Sequence, residues 1–252
     1  MNSKDRILNF VKCSISGIGF ISAFYTVINL MIFLSDPSNN RSVGYFRRGE
    51  PITDCFWMLL VDMVLLALFI IQHSILASGK VKSWFENYGI LDLYRSFYII
   101  TTSLVLQILF TNWLSIGEVT LWKLNLTNKP VWFTYYATHI LAWIFIYVGN
   151  ICMDINELLG IKQVFYSIKN LPGPDTRKSQ ELKKLCSHIN HPSFTAFMIL
   201  FWMTSVMSLD RLILAVIFTV YLLVGCKTDQ GDYAYHKSQY SLKCQELRYL
   251  KS

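Results

Sequence analysis

The chain has 252 residues, of which 53% are hydrophobic and only 15% are charged. Soluble domains carry nearer a quarter charged residues, so this composition excludes an ordinary soluble protein and indicates a membrane protein. The formal net charge is +7, and the sequence contains no run of five or more basic residues. We therefore expect the lipid bilayer, and not nucleic acid, as the partner of the positive charge.

Six stretches are apolar enough to be transmembrane helices. They are Cys13–Leu34, Cys55–Leu76, Ser96–Ile116, Pro130–Ile151, Pro192–Leu209 and Leu212–Val224. The last two are short and are separated only by Asp210 and Arg211, which predicts a tight helical hairpin, tilted or partly re-entrant. The predicted fold class is all-α: one polytopic membrane helix bundle of about six transmembrane helices over residues 1-252.

Lysine and arginine are distributed unequally between the two sides of this topology. The N-terminus, the loops after the second and fourth helices and the C-terminal tail together hold 17 of the 23 basic residues. Because basic residues are retained on the cytoplasmic side, we expect both termini to face the cytosol or nucleoplasm. Residues 152-191 then form an interfacial helical segment on that side, and residues 227-252 form a polar tail.

The second predicted helix carries two candidate functional residues. Asp62 lies within the helix, and His73 follows eleven residues later near its cytosolic end, so both project from one face. An ionisable group at bilayer depth is a functional hypothesis by default. The alternative for Asp62 is a hydrogen bond to a neighbouring helix.

Polar residues also mark the third and fourth helices. Arg95 opens the third and either anchors it at the interface or points inward to an anion. The fourth carries a polar stripe at helical spacing, namely His139, Trp143, Asn150, Asp154 and Glu157. This stripe is either one wall of a cavity that opens toward the cytosol or a hydrogen-bonded contact between helices.

The six-helix topology brings eight polar residues to one membrane surface. They are His73, Arg95, Asp154, Glu157, His188, His191, Asp229 and Asp232. Pro192 fixes the entry to the fifth helix, whose free N–H groups favour an anion, and His191 is placed to donate to it. The alternative for His191 is a plain helix cap. The six cysteines form no C-x-x-C pair, so we expect no metal site.

Four stretches in the C-terminal 40% of the chain occur in the order seen in one known family. They read ELLGIKQVFY at 157–166, SHINHP at 187–192, DRLILA at 210–215 and DQGD at 229–232. They resemble the nurim family of inner nuclear membrane proteins. The resemblance implies a resident of the inner nuclear membrane, which is contiguous with the endoplasmic reticulum, and the nuclear lamina or other envelope proteins as partners.

Nurim proteins are in turn distantly similar to the isoprenylcysteine carboxyl methyltransferases. In that group an Arg-His-Pro-x-Tyr-x-Gly motif and later paired acids build the S-adenosylmethionine pocket. This wider resemblance implies His73 as a catalytic residue and a set of residues that bind the methyl donor, namely His188, Asn190, His191, Pro192, Asp229 and Asp232. Asp62, Arg95, His139, Asp154 and Glu157 would line the same pocket.

The motif departs from the methyltransferase pattern at three positions. Asn190, Phe194 and Ala196 stand where that family has arginine, tyrosine and glycine. Loss of the guanidinium removes a bidentate anion clamp, and a methyl group at Ala196 restricts close approach to a ligand. We therefore expect a resident envelope component first, with a methyltransferase acting on a lipophilic thiol or carboxylate as the alternative. A transporter using Asp62 ranks last, because the sequence has no inverted repeat.

Overall fold

The computed structural model describes residues 3–36, 51–117, 119–152, 154–173, 193–225 and 240–241. The described elements, in chain order, are α1 (Ser3–Ser35), α2 (Pro51–Leu76), α3 (Gly79–Asn87), α4 (Leu91–Asn112), β1 (Thr120–Lys123), α5 (Lys129–Cys152), α6 (Ile155–Leu158), α7 (Ile161–Ile168), α8 (Phe194–Trp202), β2 (Val206–Ser208) and α9 (Leu209–Gly225).

Four of the described helices are long and apolar enough to cross a membrane. The spans are Asp5–Ser35, Thr53–Leu76, Leu91–Asn112 and Lys129–Ile151. They coincide with the first four predicted helices, which confirms a polytopic, mainly helical membrane protein. The fifth and sixth predicted helices correspond to α8 and α9, with 9 and 17 residues.

Side-chain contacts show how the long helices run. Lys12 of α1 pairs with Asp92 at the start of α4 at 2.7 Å, and Asn29 donates to Gln107 at 3.0 Å near their other ends, so α1 and α4 run in the same direction. Gln72 near the end of α2 donates to Thr101 in the first half of α4 at 3.2 Å. Helix α2 is therefore antiparallel to α4, and the bundle has two distinct ends.

We name the two ends by their contents. The His73 end holds Lys12, Asp92 and the last turn of α2. The strand end holds the last turn of α1, the start of α9 and a two-stranded antiparallel ribbon in which Thr120 pairs with Ser208 and Trp122 with Met207. Beside His73, Tyr221 of α9 contacts Ser74 at 3.3 Å, so α9 runs from the strand end to the His73 end.

The ribbon corrects the prediction for the last two helices. Helix α8 ends at Trp202, and the residues predicted to complete it form strand β2. Asp210 and Arg211, predicted as the turn between two helices, lie inside α9 and are buried. The run from 192 to 209 is mostly apolar but is interrupted by Thr204 and Ser205, and these two residues lie between the end of α8 and the start of β2.

The bundle core lies between α1, α2, α4, α5, α8 and α9. Its fully buried side chains include Leu66, Leu109, Leu200 and Leu214. On the outside, many large apolar side chains are exposed, such as Phe133 at 68% and Leu141 at 66%. An apolar exterior around an apolar core is typical of a bundle whose solvent is lipid.

The short helix α7 docks on the His73 end and closes the bundle there. Its Val164 is buried, and Ser167 lies 3.4 Å from the Lys12 ammonium group of α1. Gly160 precedes α7 in the left-handed conformation (φ 85°). A Cβ atom there would lie 2.7 Å from Ser96 Oγ and 2.8 Å from Ser96 N in α4, so both the conformation and the close contact require glycine.

We predict that Gly160→Ala lowers the free energy of unfolding by about 1–3 kcal/mol, because it combines backbone strain with overpacking against α4. The measurement is equilibrium unfolding of the purified protein in mixed micelles. The matched control is Gly79→Ala at the start of α3, where an added Cβ has no atom within 4 Å. Equal stability of the two variants would contradict the docking of α7 through Gly160.

Candidate functional site

The predicted site residues divide into three groups in the structure. Six of them lie outside the described residues, namely His188, Asn190, His191, Pro192, Asp229 and Asp232. His73, Arg95, Asp154 and Glu157 lie at the His73 end. Asp62 and His139 bond instead to residues of the strand end, so the predicted pocket does not include these two.

His73 sits in an aromatic cluster formed by α2, α4 and α9. Its ring centroid lies 5.3 Å from that of Phe69, 5.2 Å from that of Tyr98 and 6.3 Å from that of Tyr221. The Tyr98 hydroxyl lies 3.0 Å from Nδ1 and 2.9 Å from Nε2 of His73. The imidazole thus contacts the Tyr98 hydroxyl and lies among three aromatic rings.

Arg95 contacts the same cluster through the ring of Tyr98. Its guanidinium carbon lies 5.6 Å from the Tyr98 ring centroid, in cation-π geometry. Its Nε donates to the Leu158 carbonyl at 3.1 Å. Arg95 therefore points inward and links α4 to α6, and Tyr98 connects it to His73.

Asp154 and Glu157, the two acids of the predicted polar stripe, do not lie on the helix that carries His139. Helix α5 ends at Cys152, and Asp154 adopts a left-handed conformation (φ 63°) before the single turn of α6. The prediction of one continuous stripe from His139 to Glu157 was therefore wrong, because the break rotates Asp154 and Glu157 relative to α5.

Asp154 forms an ion pair with Lys162. The hydrogen bond from Lys162 is the main cause that lowers the pKa of Asp154 below its ordinary value of 3.8. The ion pair stabilises the folded protein fully at a pH above the ordinary pKa of 3.8. This stabilisation is lost as the pH falls through the lowered pKa of Asp154. Since Asp154 is 37% and Lys162 33% exposed, solvent screens the pair and its contribution is small.

His139 is buried at the strand end, where three side chains of α5 converge on the last residue of α1. His139 Nδ1 lies 2.8 Å from Ser35 Oγ, and Nε2 lies 2.8 Å from the Met203 carbonyl oxygen. Trp143 donates to Ser35 Oγ at 2.8 Å, and Tyr135 donates to the Ser35 carbonyl at 3.0 Å. A carbonyl only accepts, so Nε2 carries the proton and Nδ1 accepts from the serine hydroxyl. This arrangement is a hydrogen-bonded helix contact.

Asp62 also serves a helix contact, and it has a counterpart in Asp210. The Asp62 carboxylate accepts from the Leu114 amide at 3.0 Å. The Asp210 carboxylate accepts from the Ile116 amide and from the Trp113 indole, both at 3.0 Å. The two acids thus bind the segment that follows α4, where the amide groups no longer have helical partners.

Arg211 lies near these two acids. We call Asp62, Asp210 and Arg211 the charge cluster. All three are at most 3% exposed. The Arg211 Nε lies 4.0 Å from Asp210 Oδ2, and the guanidinium carbon lies 4.1 Å from the Phe33 ring centroid. The cluster ties α1, α2, α4 and α9 together through polar contacts that lipid cannot replace.

The sequence reasoning missed Asp210 and Arg211 as functional positions. A signal was available, because they are adjacent charges inside a long apolar run of a chain with few charges. Charged residues within a membrane segment usually face the protein interior and pair there. As the turn of a predicted helical hairpin, the same two charges would face water and need no buried partner.

Part of the predicted methyl-donor motif is described, and it points into the core. Ala196 is buried in the apolar cluster with Trp143 and Leu200. In the methyltransferase pattern this position is a glycine that allows a ligand to approach. Here the methyl group packs against other side chains, so this position does not fit that role.

The fold and these contacts define the class of the protein: a polytopic helical membrane protein in which Asp62, Asp210 and Arg211 are buried inside the bundle. A "Nurim homolog" of Drosophila pseudoobscura pseudoobscura is 38% identical over 89% of this chain and 91% of the relative. A "Nurim homolog" of Drosophila melanogaster is 35% identical over 91% of this chain and 93% of the relative. "Nurim" of Rattus norvegicus is 35% identical over 74% of this chain and 72% of the relative. No family model and no solved structure matches the chain. The chain belongs to the nurim family.

We predict that Asp210→Ala lowers the free energy of unfolding by about 3–5 kcal/mol, because it leaves Arg211 buried without its counter-charge. The double variant Asp210→Ala/Arg211→Met should lose less than the sum of its two single variants, since each single change strands a buried charge. Unfolding in mixed micelles measures all three. Glu86→Ala, at an exposed position of α3, is the control. Strictly additive losses would contradict the charge cluster as a coupled unit.

Proposed function

We propose that this protein is a resident multi-pass component of the inner nuclear membrane, contiguous with the endoplasmic reticulum. The observation that carries the proposal is the similarity to nurim proteins over most of both chains. The family resemblance found in the sequence supplies the location. The four helices of spanning length supply the anchorage in the bilayer.

The contacts of the buried charges support a structural role. Asp62 and Asp210 accept hydrogen bonds from the chain after α4, and Arg211 lies between Asp210 and Phe33. The hydrogen bonds join α2 and α9 to the segment after α4, and the Phe33 contact joins α9 to α1, as expected of a bundle that persists in one arrangement. A transport function based on Asp62 finds no support in this use of its carboxylate.

The distribution of basic residues supports an orientation with the His73 end in the nucleoplasm. In the described parts of the chain, Lys12, Lys80, Lys82, Lys162 and Lys169 belong to the helices and turns at this end. In the described residues, the strand end carries Lys123 and Lys129 in addition to the buried Arg211. The positive surface then faces the nuclear interior, where we place contacts with the lamina or other envelope proteins.

The test is the position of an epitope tag at the C-terminus of the full chain. After digitonin opens only the plasma membrane, an antibody should fail to stain the tag. After Triton X-100 opens all membranes, it should stain the nuclear rim. A tagged endoplasmic reticulum protein with a cytosolic epitope is the control and stains in both conditions. Staining of the tag after digitonin, or at the plasma membrane, would overturn the proposal.

A second candidate function rests on the His73 cluster, a membrane-embedded methyltransferase that uses S-adenosylmethionine. His73 and Arg95 meet at Tyr98, at the end of the bundle where α9 ends and where Asp229 and Asp232 follow in sequence. S-adenosylmethionine would supply an activated methyl group, and Arg95 and His73 would provide polar contacts beside it.

Binding of S-adenosylmethionine to the purified full chain, measured by calorimetry, tests the second candidate. We expect His191→Ala to weaken binding by about tenfold or more, the loss of a hydrogen bond to a charged group. His236→Ala, a histidine of the tail outside the predicted set, should leave binding unchanged. Absence of binding, or equal binding by His191→Ala, would exclude this function and leave the membrane residency untouched.

A further inference from the structure

Helix α3 lies at the membrane surface of the His73 end. The span of α2 ends at Leu76 and the span of α4 begins at Leu91, and α3 lies in the connection between them. Its Phe85 is buried, and the ring centroid of Phe85 lies 5.6 Å from that of Phe97 in the second turn of α4. Helix α3 therefore lies beside the first turns of a spanning helix, where hydrocarbon gives way to lipid head groups.

The end of α3 is fixed to the bundle. The Gly89 amide donates to the Glu86 carbonyl at 2.9 Å, and the Ile90 amide donates to the Phe85 carbonyl at 3.0 Å. Gly89 has the left-handed conformation (φ 69°) that this pair of bonds requires. The bonds form a Schellman motif, which closes the helix and leads the chain directly into α4. Together with the buried Phe85, this motif determines which side of α3 points away from the bundle.

The apolar side chains of α3 and its C-cap lie on one side of the helix. At about 100° of rotation per residue, they fall within an arc of about 100°, and they are Val81, Trp84, Phe85 and Tyr88. The bundle covers only part of this arc, because Phe85 is 7% exposed but Trp84 is 52% and Tyr88 66% exposed. The Trp84 and Tyr88 ring centroids lie 4.6 Å apart. The uncovered part of the arc is therefore a continuous aromatic surface.

A lysine stands at each border of this arc. On the same projection Lys80 precedes the arc by about 40° and Lys82 follows it by about 60°. Both lysines are exposed, and among the described residues neither forms an ion pair, whereas Lys12 of the same end pairs with Asp92. Lysine stems lie along apolar surface while their ammonium groups reach polar surroundings. An apolar arc bordered by lysines is typical of a helix in the membrane interface.

We propose that α3 binds anionic phospholipid at the His73 end, with Trp84 and Tyr88 at the boundary between head groups and acyl chains and with Lys80 and Lys82 against the head groups. Tryptophan and tyrosine favour this depth because each has an apolar ring and a polar group. Helix α3 carries two lysines and one acid, Glu86. Its net positive charge favours a head group of net negative charge over a zwitterionic one.

Position distinguishes lipid from a protein as the occupant. Phe97, which contacts Phe85, is itself 43% exposed on the spanning helix α4, so the aromatic surface of α3 adjoins a surface that faces the bilayer. Lipid surrounds this surface, and a soluble protein would have to displace it. The assignment depends on the spans of α2 and α4 and not on the compartment that the His73 end faces. It can therefore fail while the proposed residency holds, and the reverse.

The experiment uses the full chain in nanodiscs that contain phosphatidylcholine and phosphatidylserine. Two probes are compared, a phosphatidylserine and a phosphatidylcholine that carry the same diazirine near the carbonyl end of one acyl chain. After irradiation and digestion with pepsin, which does not require lysine, the phosphatidylserine probe should label peptide 79–90 more strongly. Absence of label from this peptide, or equal labelling by the two probes, would overturn the proposal.

Removal of the lysines tests the preference for negative charge. Lys80→Ala and Lys82→Ala should each lower the ratio of phosphatidylserine to phosphatidylcholine labelling at α3 by about fivefold. Both positions are exposed, so the bundle should fold normally. The peptide that contains Trp132, an exposed aromatic residue of α5, is the internal control, and its ratio should not change. An unchanged ratio at α3 would contradict the lysine contacts.

Fluorescence tests the side of α3 that meets the lipid. The emission of Trp84 is the difference between the wild type and Trp84→Phe, and lipids brominated in the upper acyl chain should quench it. The matched control is Ser83→Trp in the Trp84→Phe background, which moves the indole by about 100° to the polar side and should be quenched less. Equal quenching of the two indoles would show that α3 does not lie in the interface as proposed.

Discussion

The structure depends on the rule that a polar group inside a bilayer must find its partner within the protein. The segment after α4 shows this most clearly. Once the helix ends, the amides of Leu114 and Ile116 and the indole of Trp113 need acceptors, and Asp62 and Asp210 supply them. Two carboxylates buried at such depth are acceptable because each accepts hydrogen bonds and because Arg211 lies beside Asp210.

The two ends of the bundle solve this constraint differently. At the strand end, buried ionic groups and the Ser35 contacts join helices directly, so the polar atoms are enclosed. At the His73 end, the Lys12–Asp92 ion pair joins α1 to α4 directly, and Tyr98 and the short helix α7 supply further links. Both ends are thus joined by charge, and the His73 end carries in addition a short helix that docks where Gly160 allows close contact with α4.

Composition and apolar run length were enough to predict the class and the first four helices, because a spanning helix is set by hydrophobic length alone. The ribbon was not predicted in this way, since hydrophobic length alone does not show where a run changes from helix to buried strand. Hydrophobic length also did not show that Asp210 and Arg211 are buried. Two adjacent charges between apolar runs are compatible both with a turn and with a buried pair. The spacing of His139 and Asp62 did not show that their hydrogen bonds lie at the end opposite His73. Asp154 lies at the predicted end, but its left-handed backbone interrupts the helical periodicity that the sequence continues.

The length of α5 has a consequence for how the bundle lies in a bilayer. Helix α5 has 24 residues and spans about 36 Å, whereas the hydrocarbon core of a typical bilayer is about 30 Å thick. A helix longer than the core is accommodated by tilting. Helix α5 is therefore long enough to cross the bilayer at an angle to its normal, and α1, which it contacts through Ser35, tilts with it.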